Sequence, residues 1–396
     1  MHLTAYARAP LLCVVLGSLA SCGAESVSGD PQGSDGSSSE GGGGDTGFDT
    51  SGSGWEPDTP PDHVTEHLEI WDFGPEDLCA GQIAMMEREA QRLSAEMGLS
   101  LQRLRVAWGE AATESLCDAV VRAQGCARGS GANTYIATGR ESASHELVHA
   151  IRRQNELQTH VFFEEGLAEQ LGANRPNGSY SAWLPPSLDE FGPTVLLQYS
   201  QSDFYVGHKV PGDFYTLAAH YLTFVRETYG ADALTSFLRS AGKSNVDEAF
   251  ADAFGVSVEA SELAWQRDAP SSYELGEPCH EMLEWGPDGI ALEQVLSCEL
   301  EETLLYAGSG LGSTRGCCFD LAEPTSVQIS LEVEEGSVTL LADECWEISA
   351  DSEESGVSVS RLTTPKTLLL AGCRWRVTPV VSTPGGSFRV TVAPVE

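Results

Sequence analysis

In "ESASHELVHAIRRQ", residues 141–154, His145 and His149 stand four apart, and Glu146 directly follows the first of them. In a helix that spacing puts both imidazoles on one face, a turn apart, where they can bind the same metal ion. Glu146 then lies beside the ion, placed to take a proton from water and pass it to a leaving amine. With nine histidines in 396 residues, chance alone gives such a pattern in roughly one or two chains per hundred of this composition. Its meaning therefore depends on what else the chain supplies. A catalytic zinc site needs a third protein ligand and keeps a fourth position for water.

Elements able to hold such a helix are legible on either side. "HLEIW" (67–71) alternates like a strand, and Pro75 opens a helix on which Ile83, Met86, Ala90, Leu93 and Met97 recur three or four apart until Gly98. Further strands are expected at "LRVAW" (104–108) and "ANTYIAT" (132–138). The second leads into the histidine helix, whose start near Gly139 is marked by Thr138 and Glu141 at capping-box spacing. A strand in that position offers its edge to an extended peptide. Downstream, Ala218, Tyr221, Leu222, Val225 and Tyr229 form an apolar stripe ending at Gly230, and Ala249, Phe250, Ala253 and Phe254 repeat at helical spacing.

The extended motif HExxHxxGxxH is excluded, because Arg152 and Asn155 stand where its glycine and last histidine belong. "VFFEEGLAEQLGA" (161–173) instead offers glutamates on a following helix. "HELVHA" followed by "FFEEGLAEQL" resembles the gluzincin (peptidase MA-like) pattern, in which HExxH is followed at a variable distance by an EGxAEY-like segment. The resemblance implies one zinc ion per chain held by His145, His149 and Glu165, with Glu169, a turn further on, orienting a ligand histidine. Gln170 departs from the pattern, which often has Tyr there. The segment 212–268 is similar to the helical half of the same domains, so the resemblance spans about 130–268. It also implies hydrolysis of a peptide or protein substrate, with Glu146 as general base and a Tyr or His from the helical half holding the oxyanion. Tyr215 and His220 are the candidates for that role, with His208 a third; His160 is an alternative third metal ligand. A noncatalytic protein using this fold for binding is the competing reading, as is a purely structural metal site, although the latter has no use for Glu146.

The surroundings of this segment point to export. Arg8 precedes the apolar run "APLLCVVLGSLA", too short to span a bilayer. "LASC" (19–22) resembles the lipobox of bacterial lipoproteins, which implies cleavage before Cys22, lipid on its thiol and an extracytoplasmic place in the cell envelope. Residues 23–62 are rich in Gly, Ser, Asp and Pro, carry nine acidic residues and no Lys or Arg, and are expected to form a disordered tether. A net charge of -37, from 22 basic and 59 acidic residues, excludes the basic surface that nucleic acid requires. The membrane is expected to be reached through the lipid alone, and the chain to be monomeric.

Of the 11 cysteines, Cys117 and Cys126 are placed to pair, Cys79 is the odd one of the N-terminal part, open to remaining a buried thiol, and six after residue 270 suggest up to three disulfides among themselves. That last part loses helical periodicity and shows alternating runs at 326–334, 356–362, 374–381 and 387–392. The expected fold is thus α+β: a zincin-like domain at 63–269, made of a small sheet, the histidine helix and a helical subdomain, then a disulfide-containing β-sandwich at 270–396. The latter faintly resembles the accessory β-domains that follow many secreted peptidases.

Overall fold

The computed structural model describes residues 55–395 apart from 75–77, 118–124, 140–142, 174–179, 184–191, 201–202, 205–213, 243–244, 277–280, 301–302, 307–309, 314–316, 334–335, 343–355, 361–365, 371–373 and 382–386. The expected signal, Cys22 and the tether up to residue 54 lie outside the described residues, as do Pro75, Glu141 and His208. Among the described residues no helix is long and apolar enough to cross a membrane.

The chain is mixed α+β. Its first part is a five-stranded sheet in the order β1 (His63–Val64), β2 (Leu68–Asp72), β3 (Leu104–Trp108), β5 (Tyr135–Thr138), β4 (Gly125–Arg128). The central three strands run parallel, and β1 and β4 flank them antiparallel. Strand alternation explains how the sheet is covered. Ile70, Val106 and Ile136 lie abreast and are fully buried in the main core. Their neighbours Ala107 and Ala137 belong to a smaller cluster on which Trp55 and Leu116 pack. Trp55 meets the rings of Trp71 and Tyr135 at 5.1 and 5.7 Å, Arg105 donates to its carbonyl at 2.6 Å, and Trp71 donates its indole N–H to the Thr59 carbonyl at 2.8 Å. Trp55 and Thr59, inside the segment expected to be tether, therefore contact the sheet.

The main core lies between this sheet and the helices. Helix α1 (Ala80–Met97) follows Cys79, whose backbone N–H is accepted by Gln82, and ends at Gly98 in the left-handed region (φ 58°). The short α2 (Glu110–Leu116) comes before β4. Helix α3 (Ser144–Gln154) starts after Ala143, later than the Thr138 signal suggests, because Thr138 is the last residue of β5. Its apolar face of Leu147, Val148, Ala150 and Ile151 is fully buried. Helix α4 (Val161–Leu171) is buried on most sides, and at Gly166 its backbone approaches α6 (Phe214–Tyr229) so closely that an added Cβ would lie 2.8 Å from the Ala218 carbonyl oxygen. The four-residue α5 (Pro193–Leu196), α7 (Ala231–Ser240), α8 (Val246–Phe254) and α9 (Val258–Asp268) complete this part. Phe163, Phe237 and Phe250 interlock edge to face within it.

Two further sheets follow a two-stranded ribbon of β6 (Tyr180–Trp183) and β7 (Ser272–Leu275). One contains β8 (Glu281–Met282), β10 (Thr303–Tyr306), β11 (Gly310–Ser313), β12 (Cys317–Asp320), β14 (Gly336–Ala342), β15 (Gly356–Ser360) and β17 (Arg374–Val381). The other has the order β16 (Lys366–Leu370), β13 (Thr325–Val333), β18 (Ser387–Pro394), β9 (Ile290–Val295). Phe319, Trp375 and Val377 of the first share one apolar core with Val327, Ile329, Phe388 and Val390 of the second. Strands were expected at the alternating runs now seen in β13, β15, β17 and β18. The expected Cys117–Cys126 disulfide is present. Cys79, however, is no free thiol: it is bonded to Cys298, 219 residues away. Six cysteines after residue 270 therefore do not pair only among themselves.

His220 locks α6 to α9 and to the chain leaving it. Its Nδ1 accepts the Trp265 indole N–H at 2.8 Å, which leaves the proton on Nε2 to be donated to the Pro270 carbonyl at 3.1 Å. Burial without an acidic partner holds its pKa down to about 4, against 6.5 for a free histidine. The folded protein thus resists the protonation that the unfolded chain accepts. The stability this histidine contributes is complete above pH 6.5 and declines as pH falls to 4, a loss of roughly 3 kcal/mol. Denaturant unfolding of the wild type and of His220→Gln at pH 7, 5.5 and 4 should show their stability difference changing by about that amount in the wild type's disfavour. A difference independent of pH would contradict the assignment.

Candidate metal centre

Helices α3 and α4 form an antiparallel hairpin. His145, at the start of α3, meets the end of α4, where an added Cβ on Gly172 would lie 2.8 Å from the His145 backbone. Arg152, near the end of α3, meets Glu164 in the first turn of α4. Between these ends the polar faces converge. His145 Nε2 lies 3.2 Å from Glu165 Oε2 and 3.2 Å from His149 Nε2, and the latter lies 3.3 Å from the same Glu165 oxygen. His145, His149 and Glu165 therefore form a group able to hold a metal ion. Three donors at the corners of a nearly equilateral triangle fit a tetrahedral centre, because ligands about 2.0 Å from an ion are about 3.3 Å from one another. Glu165 is buried, at 6% side-chain exposure, while His145 keeps 26% and His149 14%. The group is anchored from beneath and open on the histidine side.

The charges suit a cation. Burial alone raises the Glu165 carboxyl, but His149 and His145 reverse this and hold it far below the usual carboxylate range. Burial alone likewise lowers the His145 imidazole, but hydrogen bonds to Glu165 and Glu169, with the charges of Glu169 and Glu146, raise it well above 6.5. Glu169 Oε1 lies 3.0 Å from His145 Nδ1. A proton held there leaves Nε2 as the ligating nitrogen. Glu146 projects from α3 toward the sheet edge: a Cβ on Gly125 would lie 2.9 Å from its Cγ and 3.0 Å from its Oε1. A side chain at 125 would push the Glu146 carboxylate from this position.

The remaining expectations separate. Tyr215, on α6, is half-buried with its ring centroid 6.2 Å from that of His145, so it is brought to the group. His220 is not: both its nitrogens are engaged in the α6–α9 lock, and it is fully buried. His160 is not a third ligand either. It caps α4, accepting from Phe162 N–H at Nδ1 and donating from Nε2 to the Tyr199 carbonyl at 2.9 Å. Gln170 is a buried packing residue whose amide donates to Thr223.

The strand expected to present an edge, β5, is paired on both sides, with β3 and β4. Among the described residues the open edge beside the group is that of β4, which sequence reasoning missed. "GCAR" has one buried residue, Ala127, and no alternation to reveal it; the only signals were Gly125 and the Cys126 pairing. A second group, Glu66, His67 and Glu87, also gathers ligand atoms. There the Glu87 carboxylate already accepts from Thr65, Gln91 and both the backbone and ring of His67, as a clasp between the β1–β2 connection and α1.

No protein-family model matches the chain, and no curated protein matches it in sequence. Among solved structures, the pre-peptidase C-terminal domain of collagenase from Bacillus anthracis is similar over 30% of this chain and 98% of that one, at 10% identity and a TM-score of 0.19. So slight a likeness carries no argument.

With zinc as the probe ion, replacing Glu169 by Ala should weaken metal binding at the group about ten- to hundredfold by freeing the His145 ring and lowering its basicity. Competition against a chromogenic chelator measures this, and an unchanged affinity would remove Glu169 from the centre.

Proposed function

We propose that the chain is a zinc metallopeptidase with a zincin-like, gluzincin-type catalytic domain. The observation that carries this reading is the triangle of His145 Nε2, His149 Nε2 and Glu165 Oε2, with edges of 3.2 to 3.3 Å, together with Glu146, whose charge acts on His145. A nitrogen-and-carboxylate set of two histidines and one glutamate suits zinc, which when bound acts as a Lewis acid and brings the pKa of water to about 7.

The chain's own residues account for the rest of the chemistry. A substrate peptide adds to the open edge of β4 as an antiparallel strand, which sets its carbonyl beside Glu146. Glu146 takes a proton from the attacking water and delivers it to the leaving amine. Tyr215 is assigned the oxyanion, donating from its hydroxyl as negative charge develops. Glu169 holds the His145 ring in orientation. A structural metal site has no need of Glu146, which favours catalysis over structure.

Export completes the proposal. The apolar N-terminal run, "LASC" and the acidic tether describe a lipoprotein held at the cell envelope through Cys22. The Cys79–Cys298 and Cys117–Cys126 disulfides accord with an oxidising compartment.

Glu146→Gln should lower kcat on a cleaved peptide by at least about a hundredfold, with zinc content unchanged. A peptide library supplies the substrate, and mass spectrometry the products. Turnover equal to wild type would eliminate the role given to Glu146.

A further inference from the structure

The zinc reading leaves one feature of the hairpin unused. Arg152 is 2% exposed, yet it carries a charge into the main core. Its Nε and Nη2 donate to the two carboxylate oxygens of Glu164 at 2.9 and 2.8 Å, and Nη2 also donates to the Leu238 carbonyl of α7 at 3.2 Å. Glu164 Oε1 further accepts the Thr159 backbone N–H at 2.7 Å, in the connection leading into α4. Arg152 stands three residues after His149, and Glu164 directly precedes Glu165.

We infer that the Arg152–Glu164 ion pair is a positioning device: it sets the register of α3 against α4 and thereby the affinity of His145, His149 and Glu165 for their metal. Three considerations lead there. First, the ligands sit on two helices joined by only a short connection, and a slip of one turn would carry Glu165 about 5.4 Å away, beyond the reach of a shared ion. Second, apolar contacts between helices tolerate such slips better than a two-pronged guanidinium–carboxylate bond, which fixes direction as well as distance. Third, a buried ion pair adds little net stability over apolar residues of the same volume, so arrangement accounts for its presence better than stability does. The bonds of this pair go to each other, to the Leu238 carbonyl and to the Thr159 N–H; beyond the charge interaction of Glu164 with His149, the pair acts through the backbones that carry the ligands.

This inference rests on the metal reading, and its test separates the two. In Arg152→Met/Glu164→Gln no buried charge is left alone, and the amide oxygen introduced in place of the carboxylate can still accept from the Thr159 backbone N–H. The expected result is a zinc Kd raised about ten- to hundredfold, with a denaturation midpoint in excess chelator close to that of wild type. A zinc Kd within twofold of wild type would overturn the inference, because a merely structural pair moves the midpoint and leaves affinity alone. Should the double variant fail to fold, Arg152→Lys keeps the charge without the fork. Its cobalt(II) complex should then show an altered visible band and weaker affinity; an unchanged band and affinity would overturn the inference equally. If the wild type itself takes up no zinc, the peptidase reading fails and the inference falls with it.

Discussion

His145, His149, Glu165 and Glu169 meet because two eleven-residue helices lie antiparallel in one register. A step along α3 from His145 to His149 corresponds to a step back along α4 from Glu169 to Glu165. Much of the surrounding structure maintains this register. Gly172 lets the two chains touch at one end, and Gly166 lets α4 press against α6, where a side chain would have to displace backbone. The face of α3 opposite the histidines is buried and mostly apolar, so the helix cannot rotate its ligands without exposing Leu147, Val148 and Ile151.

The sheet supplies the other side of the centre. Its parallel middle, with Ile70, Val106 and Ile136 in one row, gives α1 and α3 a flat apolar floor. The antiparallel strand β4, paired with β5 on one side, then passes alongside Glu146 at Gly125. The Cys117–Cys126 disulfide holds the beginning of that strand to the end of α2. The strand that flanks Glu146 is thus fixed by a disulfide within one local piece of chain.

How much of this the sequence disclosed depended on how local each signal was. His145, Glu146 and His149 are legible because helical periodicity alone places them on one face. Glu165 and Glu169 needed a family pattern, since sixteen residues separate Glu165 from His149 and no periodicity crosses the turn between helices. The Arg152–Glu164 pair was invisible for the same reason: each residue alone reads as a solvated charge. Strand β4 is too short to alternate. Cys79 was miscounted because its partner is 219 residues away, and nothing near it names that partner. His220 illustrates the opposite error. A histidine on the helix that carries Tyr215 suggests chemistry, while its true setting depends on Trp265 and Pro270, 45 and 50 residues further along. Long alternating runs in the last part, by contrast, read directly as the strands they form.

The peptidase reading and the role of the Arg152–Glu164 pair both require that His145, His149 and Glu165 bind one zinc ion. Elemental analysis of the purified chain after zinc-replete preparation and exhaustive dialysis, beside Glu165→Ala, tests it most directly. About one zinc per wild-type chain, lost in the variant, is the predicted result. A wild type without zinc, or a variant that retains it fully, would contradict the account.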